Sequence, residues 1–154
     1  MDIITKNIFI SHYGGDEKYV EQFKRKIGNN IRVRDGSIVE TEPNNATNEH
    51  YIKYKILAPK IDWAGTVVVL IGSQTKYRNY VNWEIDYAIR HDKRIVGVYL
   101  PGAKENDIPE NLNKYGDALV TWDTKKITSA IAGNIEWETP AGTNRPIKVI
   151  REAC

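Results

Sequence analysis

Short apolar runs that alternate with helix-patterned segments constrain the fold of this chain more than any other feature. Four such runs are NIFIS (7–11), TVVVLIG (66–72), RIVGVYL (94–100) and DALVTW (117–122). A shorter run, IRVR (31–34), fits a fifth strand. TVVVLIG and RIVGVYL are nearly continuous in Val, Ile and Leu, which is typical of parallel strands that are covered on both faces.

The segments between these runs carry helical signals. DEKYVEQFKRKI has apolar residues at i, i+3 and i+7 and is followed by Gly and Asn, which favour a helix end. The segment NATNEHYIKYKILAPKI is predicted to form a helix that ends near Pro59, because proline lacks an N–H donor. Further helices are predicted over YVNWEIDYAIRH and TKKITSAIAG, and a weak helix or loop around NDIPENLNKYG.

This alternation predicts an open, five-stranded parallel α/β sheet with helices on both faces, flavodoxin-like in outline. A length of 154 residues suits one domain, so we expect a single domain over 1–154. Its core is expected to cover about 5–133, followed by a C-terminal extension over 134–154. In such sheets ligands bind beyond the carboxyl ends of the strands, near the switch in strand order.

Composition excludes several classes of function. The net charge is +2 and the Lys and Arg residues are spread along the chain, which argues against a nucleic-acid partner. No apolar run approaches the ~20 residues that span a bilayer, and the first residues do not read as a signal peptide, so a soluble cytoplasmic protein without a membrane partner is expected. One cysteine and three scattered histidines predict neither a disulfide nor a metal site.

Polar residues follow the first three predicted strands, so they should lie together beyond the carboxyl ends of the strands. SHYGGD follows the first strand, and its glycines permit a close backbone approach while Asp16 can cap the next helix. The alternatives without function stay open: a simple glycine turn with a helix cap for SHYGGD, and ordinary solvated loops for the stretches after the second and third strands. The candidates at this end of the sheet are Ser11, His12, Tyr13, Asp35 and Lys76.

The helix predicted over YVNWEIDYAIR carries a carboxylate beside aromatic residues. Its core stripe consists of Val81, Ile85, Ala88 and Ile89. Glu84 lies at the edge of this stripe, with Tyr80 one turn earlier, so its carboxylate can be half desolvated and still reach a cleft. A helix-start acid that the helix dipole favours is the competing interpretation, and the pattern leaves both open.

Trp83 falls almost opposite the core stripe of the same helix. An exposed tryptophan at this position predicts a contact with another subunit or with a neighbouring loop.

These residues together resemble the TIR-like proteins of bacterial Thoeris antiphage defence systems, which belong to the Toll/interleukin-1 receptor (TIR) domains. The resemblance rests on NIFISH, VRDGS, VVVLIGSQTKYRNYVNWEIDYAI and RIVGVYLPG, and it covers about residues 5–133. Enzymatic TIR domains split NAD between nicotinamide and ribose, using a glutamate four residues after an aromatic residue. Here Tyr80 and Glu84 have this spacing.

The resemblance implies that Glu84 is the catalytic residue and that Ser11, His12 and Tyr13 line the nucleotide pocket. It implies Asp35, Lys76 and Tyr80 as further candidates for substrate binding, NAD as substrate, and no cofactor or metal. Related Thoeris proteins make a cyclic ADP-ribose-type nucleotide that diffuses to a separate effector.

Two other classes of function stay open. A non-catalytic TIR-like interaction module would assemble through Trp83 and the 35–45 loop, and the same two features allow self-association of an enzyme. A nucleoside deoxyribosyltransferase-like enzyme on this type of sheet would use the glutamate as a covalent nucleophile.

Overall fold

All five predicted strands are present in the computed structural model, which describes residues 6–28, 31–35 and 49–146. The strands are β1 (Lys6–Ser11), β2 (Ile31–Asp35), β3 (Thr66–Ile71), β4 (Arg94–Tyr99) and β5 (Ala118–Val120). They form one sheet in the order β2-β1-β3-β4-β5, and every pair is parallel. The predicted fold class, an open five-stranded parallel α/β sheet of flavodoxin-like type, is confirmed.

Helices connect the strands. They are α1 (Glu17–Ile27), a continuous helical segment made of α2 (Glu49–Tyr51), a π-helical stretch (Ile52–Leu57) and α3 (Ala58–Trp63), then α4 (Asn79–Arg90), α5 (Glu110–Tyr115) and α6 (Thr124–Ile131). Short 3₁₀ turns lie at Gly14–Asp16, Thr75–Tyr77 and Glu105–Asp107. Within the described ranges, no helix has the length and apolar character that crossing a bilayer requires.

The two faces of the sheet are covered by different helices. Successive strand residues point to opposite faces, so Ile8 and Ile10 of β1 pack with α1 and α6, whereas Phe9 packs with the 49–63 segment, α4 and α5. Each fully buried Ile or Phe contributes roughly 1.5–3 kcal/mol of burial free energy. β3 lies in the middle of the sheet with all six of its residues buried, and Thr66 is its only polar residue, whereas the edge strand β2 is partly exposed and carries Arg32, Arg34 and Asp35.

The helix that was expected to end near Pro59 continues to Trp63, so that expectation is wrong. Proline inside an α-helix loses a hydrogen bond and clashes with the carbonyl of residue i−4. Here the preceding turn is π-helical, and the Ala58 N–H donates to the Lys53 carbonyl five residues earlier. Pro59 then lies in the first turn of α3, where a missing N–H donor is tolerated.

The described part of the C-terminal extension lies against β5. Trp137 pairs with Leu119 in a parallel bridge. The buried Glu138 accepts an ion-paired hydrogen bond from Lys126 at 2.9 Å. These contacts cover the outer edge of β5, which would otherwise present unpaired backbone groups.

A methyl group added at Gly97 tests the packing around β4. The new Cβ atom would lie 2.5 Å from Leu119 Cδ2 and 2.9 Å from Leu112 Cδ2. Gly97→Ala is expected to lower the free energy of unfolding by about 1–3 kcal/mol, because the core must shift to admit it. Urea denaturation measures this change.

Gly65→Ala is the matched control, since a Cβ atom there meets nothing within 4 Å. Its free energy of unfolding should equal or slightly exceed that of the wild type. Equal stability of the two variants would contradict the packing described for β4.

Candidate active site

The strand order changes direction between β1 and β3, and this switch sets the location of the candidate site. β1 leads into α1 on one face of the sheet, whereas β3 leads into α4 on the other. The two connections therefore diverge beyond the carboxyl ends of these strands, which is where ligands bind in sheets of this order. Ser11 ends β1 and Gly72 directly follows β3.

Glu84 of α4 meets Ser11 at this switch. Ser11 points to the same face as Phe9, two residues earlier in β1, and this face is covered by α4. The Ser11 Oγ donates a hydrogen bond of 2.6 Å to Glu84 Oε1. Ser11 is fully buried and Glu84 is only 2% exposed, so the carboxyl group lies deeper than the half-desolvated position predicted from the helical pattern.

Burial changes the acidity of this carboxyl group. Desolvation raises the pKa of Glu84 to about 8, while the Ser11 hydrogen bond and the charge of Lys60 lower it and the charge of Asp35 raises it further. The carboxyl group is therefore mostly protonated near neutral pH. A positively charged ligand beside it would favour the ionised form.

Asp35 and Lys60 form the charged surroundings of Glu84. Asp35 ends β2, and its carboxylate accepts a hydrogen bond from Lys24 Nζ at 3.3 Å. Lys60 Nζ donates to the Asp35 carbonyl oxygen at 3.4 Å. The sequence pattern predicts Asp35 at this edge but gives no sign of Lys60, whose position depends on how α3 lies against the end of β2.

His12 pairs with Glu17 in the described part of the chain. Its Nε2 atom lies 2.8 Å from Glu17 Oε2, at the start of α1. The side chain of His12 is only 1% exposed. The structure thus places this predicted pocket residue beside α1, where it packs at the beginning of the helix.

Tyr13 contacts a residue that the sequence pattern did not indicate. The Arg78 guanidinium lies 4.4 Å from the centroid of the Tyr13 ring. Arg78 directly precedes α4, so this contact joins the connection after β1 to the connection after β3. Gly15 leaves room for the ring, since a Cβ atom there would lie 2.4 Å from Tyr13 Cε2.

The remaining two candidates differ in position. Lys76 Nζ donates to the Asn106 carbonyl in the loop after β4, so its described contact does not involve Glu84. Tyr80 lies one helical turn before Glu84 and packs half-buried against the core. Burial raises the pKa of Tyr80, the charge of Glu49 adds to the rise, and the charge of Lys53 opposes it.

Trp83 is not the exposed residue that the helical pattern predicts. It is half-buried between Tyr54, at a ring-centroid distance of 5.7 Å, and Tyr87, at 5.1 Å. The 49–63 segment packs over this side of α4, and its Tyr54 contacts Trp83. The neighbouring-loop or second-subunit contact predicted for an exposed Trp83 is therefore replaced by a contact with this helical segment. Residues 36–45 of the predicted interaction loop lie outside the described residues.

A cavity of about 420 Å³ lies at the amino ends of β1 and β4, between Lys6 and Arg94, and so on the side of the sheet away from Glu84. The described residues that line it include no carboxylate, so they lack the chemistry found around Glu84. In the part of the chain that the structure describes, no three His, Cys, Asp or Glu side chains converge to hold a metal ion. The Glu84 cluster is therefore the better candidate for an active site.

Comparisons with known proteins identify the family of the chain. A family model described as Thoeris protein ThsB, TIR-like domain, matches residues 9–105, which include Ser11, Asp35 and Glu84. No curated protein is significantly similar to the chain. Among solved structures, a 3-dehydroquinate dehydratase-like protein from Bifidobacterium longum is similar at 12% identity and a TM-score of 0.44, over 84% of this chain and 94% of that one.

The likeness to that solved structure is too low to carry an argument about function. The family match is different in kind, because it covers more than half of the chain and runs from β1 to the loop after β4. The chain therefore belongs to the family of TIR-like domains of Thoeris protein ThsB.

Proposed function

We propose that this TIR-like chain cleaves NAD at the bond between nicotinamide and ribose, with Glu84 as its catalytic residue. NAD is the substrate, and neither a metal ion nor a further cofactor takes part. The observation that carries the proposal is the buried Glu84 carboxyl group, held by Ser11 at the switch in strand order. A role in antiphage defence follows from the family.

The reaction suits a single carboxylate. The nicotinamide of NAD is a cationic pyridinium, so both electrons of the broken C–N bond return to its nitrogen and it leaves as a neutral molecule. No general acid is needed. Positive charge passes to the ribose as an oxocarbenium ion, and a carboxylate close to it stabilises the transition state.

The raised pKa of Glu84 fits this chemistry. A neutral carboxyl group of pKa about 8 can be buried without an unpaired charge. When the pyridinium approaches, its positive charge lowers the pKa of Glu84 and favours ionisation. The attraction between carboxylate and cation is stronger in a buried site than in water.

The second step decides the product. Water would attack the anomeric carbon to give ADP-ribose, whereas a nucleophilic atom of the same nucleotide would close a ring. We propose the cyclic ADP-ribose-type product, because a deeply buried carboxyl group favours a site from which water is excluded. The nucleotide would then diffuse to a separate effector.

Glu84→Gln is expected to reduce nicotinamide release by at least ~100-fold, because the variant keeps the shape of the side chain but cannot become negatively charged. Chromatography of NAD, nicotinamide and nucleotide products measures this for purified protein and for extracts of phage-infected cells. Glu110→Gln, at an exposed position that begins α5, is the matched control and should behave like the wild type.

Unchanged nicotinamide release by Glu84→Gln would contradict the role of Glu84. Lack of turnover by the wild type in every preparation would favour a non-catalytic interaction module. Mass spectrometry separates cyclic from hydrolysed products. A sugar covalently attached to Glu84 would instead favour the deoxyribosyltransferase-like mechanism.

Ser11→Ala is expected to shift the pH profile of kcat/KM. The Ser11 hydrogen bond lowers the pKa of Glu84, so its loss should move the rising limb of the profile to higher pH. Ser11→Thr retains a hydroxyl donor and should restore most of the wild-type profile. Initial rates from about pH 6 to 9 provide the measurement. Identical profiles for Ser11→Ala and the wild type would show that the bond does not control the ionisation.

Glu84→Gln is also expected to be more stable than the wild type at alkaline pH. The folded protein binds the Glu84 proton more tightly than the unfolded chain, because the pKa rises from 4.5 to about 8 on folding. This contribution to wild-type stability is fully present below the unfolded pKa and is lost as the pH rises through the folded pKa, whereas the amide does not titrate.

The difference in the free energy of unfolding should therefore be small in acid and reach a few kcal/mol above the folded pKa. Urea denaturation at a series of pH values measures it. Glu110→Gln should show no such pH-dependent gain, and a Glu84→Gln gain that is equal at all pH values would rule out titration of this carboxyl group as the cause.

A further inference from the structure

Lys60 is a cation near the candidate site that the proposed reaction does not use. Its Nζ atom donates to the carbonyl oxygen of Asp35, at the carboxyl end of β2. At 3.4 Å this bond is longer than the roughly 2.7–3.2 Å of an ordinary N–H···O hydrogen bond. The carbonyl group is neutral, so it leaves the positive charge of Lys60 in place.

A second lysine at the end of β2 differs from Lys60 in this respect. Lys24 Nζ lies 3.3 Å from the carboxylate of Asp35 and 3.6 Å from that of Glu21, so its charge is paired. Within residues 6–28, 31–35 and 49–146, Lys60 makes no ion pair with a carboxylate, and its one hydrogen bond is the long bond to Asp35. Lys60 is half-buried, and ordering its long side chain there costs conformational entropy.

The pairing of β1 with β2 places the ammonium group of Lys60 one strand away from the Ser11–Glu84 pair. Asp35 is the register partner of Ile10, the residue before Ser11, and paired strands lie about 5 Å apart. α3 and α4 cover the same face of the sheet, to which Ser11 points. Burial raises the pKa of Glu84, and the positive charge of Lys60 is near enough to oppose that rise.

We propose that Lys60 binds the pyrophosphate of NAD while the nicotinamide end of the substrate lies at Glu84. The inference rests on the proposed function, since it takes NAD to be the substrate. The pyrophosphate is joined through the 5′-carbon to the ribose whose bond to nicotinamide is cleaved, so it lies one sugar away from that bond. A cation one strand away from Ser11 matches this spacing.

The charges of NAD suit this arrangement. Its pyridinium ring is positive and its pyrophosphate is negative, so opposite charges at Glu84 and Lys60 orient the dinucleotide in the site. Lysine binds phosphate groups as a compact point charge with three N–H donors. A bound pyrophosphate would supply a far stronger partner than the distant carbonyl of Asp35.

Binding of NAD to the Glu84→Gln protein tests the inference without interference from catalysis. Because the charge of Lys60 also acts on Glu84, a Lys60 variant of the wild type would change both substrate binding and the ionisation of Glu84. The amide of the Glu84→Gln protein does not titrate, which removes the second effect.

Lys60→Met keeps the length of the side chain but removes its charge. In the Glu84→Gln protein it should weaken NAD binding by ~10-fold or more in a calorimetric titration, because a charge-assisted contact is lost. In the wild type it should raise the KM for NAD by a similar factor. Lys60→Arg retains the charge and the phosphate donors, so it should restore most of the binding.

ADP-ribose identifies the part of NAD that Lys60 contacts. It keeps the pyrophosphate and both riboses but lacks nicotinamide, and the pyrophosphate is its only anionic group. Lys60→Met should therefore weaken the binding of ADP-ribose and of NAD by the same factor. Weaker binding of NAD alone would overturn the assignment to the pyrophosphate.

Salt distinguishes a contact from a long-range attraction. Part of the Lys60→Met effect should persist at ~1 M salt, where attraction beyond about 3 Å is screened. An effect that disappears completely at this salt concentration would overturn a direct contact.

Lys125→Met is the matched control. Lys125 is exposed on α6, which packs on the other face of the sheet, and the variant removes the same charge. It should leave the binding of NAD and of ADP-ribose unchanged.

The binding measurements separate this inference from the proposed function. Binding of NAD and ADP-ribose that depends on Lys60 supports the inference even if no protein releases nicotinamide. Equal binding and equal KM with and without Lys60→Met overturn it even if turnover is confirmed. Absence of NAD binding and of turnover in every protein overturns both.

Discussion

The burial of Glu84 is the constraint on which the site depends. A carboxyl group inside an α/β core is costly unless it is neutral or hydrogen-bonded, and here both conditions are met by a raised pKa and by the Ser11 hydroxyl. This arrangement requires β1 to end opposite the middle of α4. The strand order β2-β1-β3-β4-β5 provides that juxtaposition, because it sends the chain from β1 and from β3 to different faces.

Two carboxyl groups near the carboxyl ends of the strands lower the stability of the folded protein. Glu84 is held where ionisation is unfavourable, and Asp16 keeps a buried oxygen without a partner in the described part of the chain. Neither feature improves the packing of the core, which is completed by Val, Ile and Leu on both faces. Groups whose environment opposes their charge are typical of sites that bind or transform a charged ligand, because the ligand supplies the missing interaction.

Much of this architecture could be predicted from the sequence. The runs 66–72 and 94–100 form β3 and β4 because continuous apolar residues need cover on both faces. Contacts between helices were not predictable in the same way. The helical pattern of α4 exposes Trp83, but the 49–63 segment packs against it, and a π-helical turn lets that segment pass Pro59. A single helix carries no information about which neighbour will cover it.

The sequence by itself determined the elements, their alternation and the identity of Glu84 as the leading carboxylate, because local periodicity and strand-end position depend only on neighbouring residues. The tertiary structure decided how those residues meet. It paired Ser11 with Glu84 across 73 positions of the chain, turned His12 toward Glu17 at the start of α1, and placed Lys60 beside Asp35 at the end of β2. Such contacts depend on how separate strands pair and how separate helices pack, and no local sequence pattern specifies that arrangement.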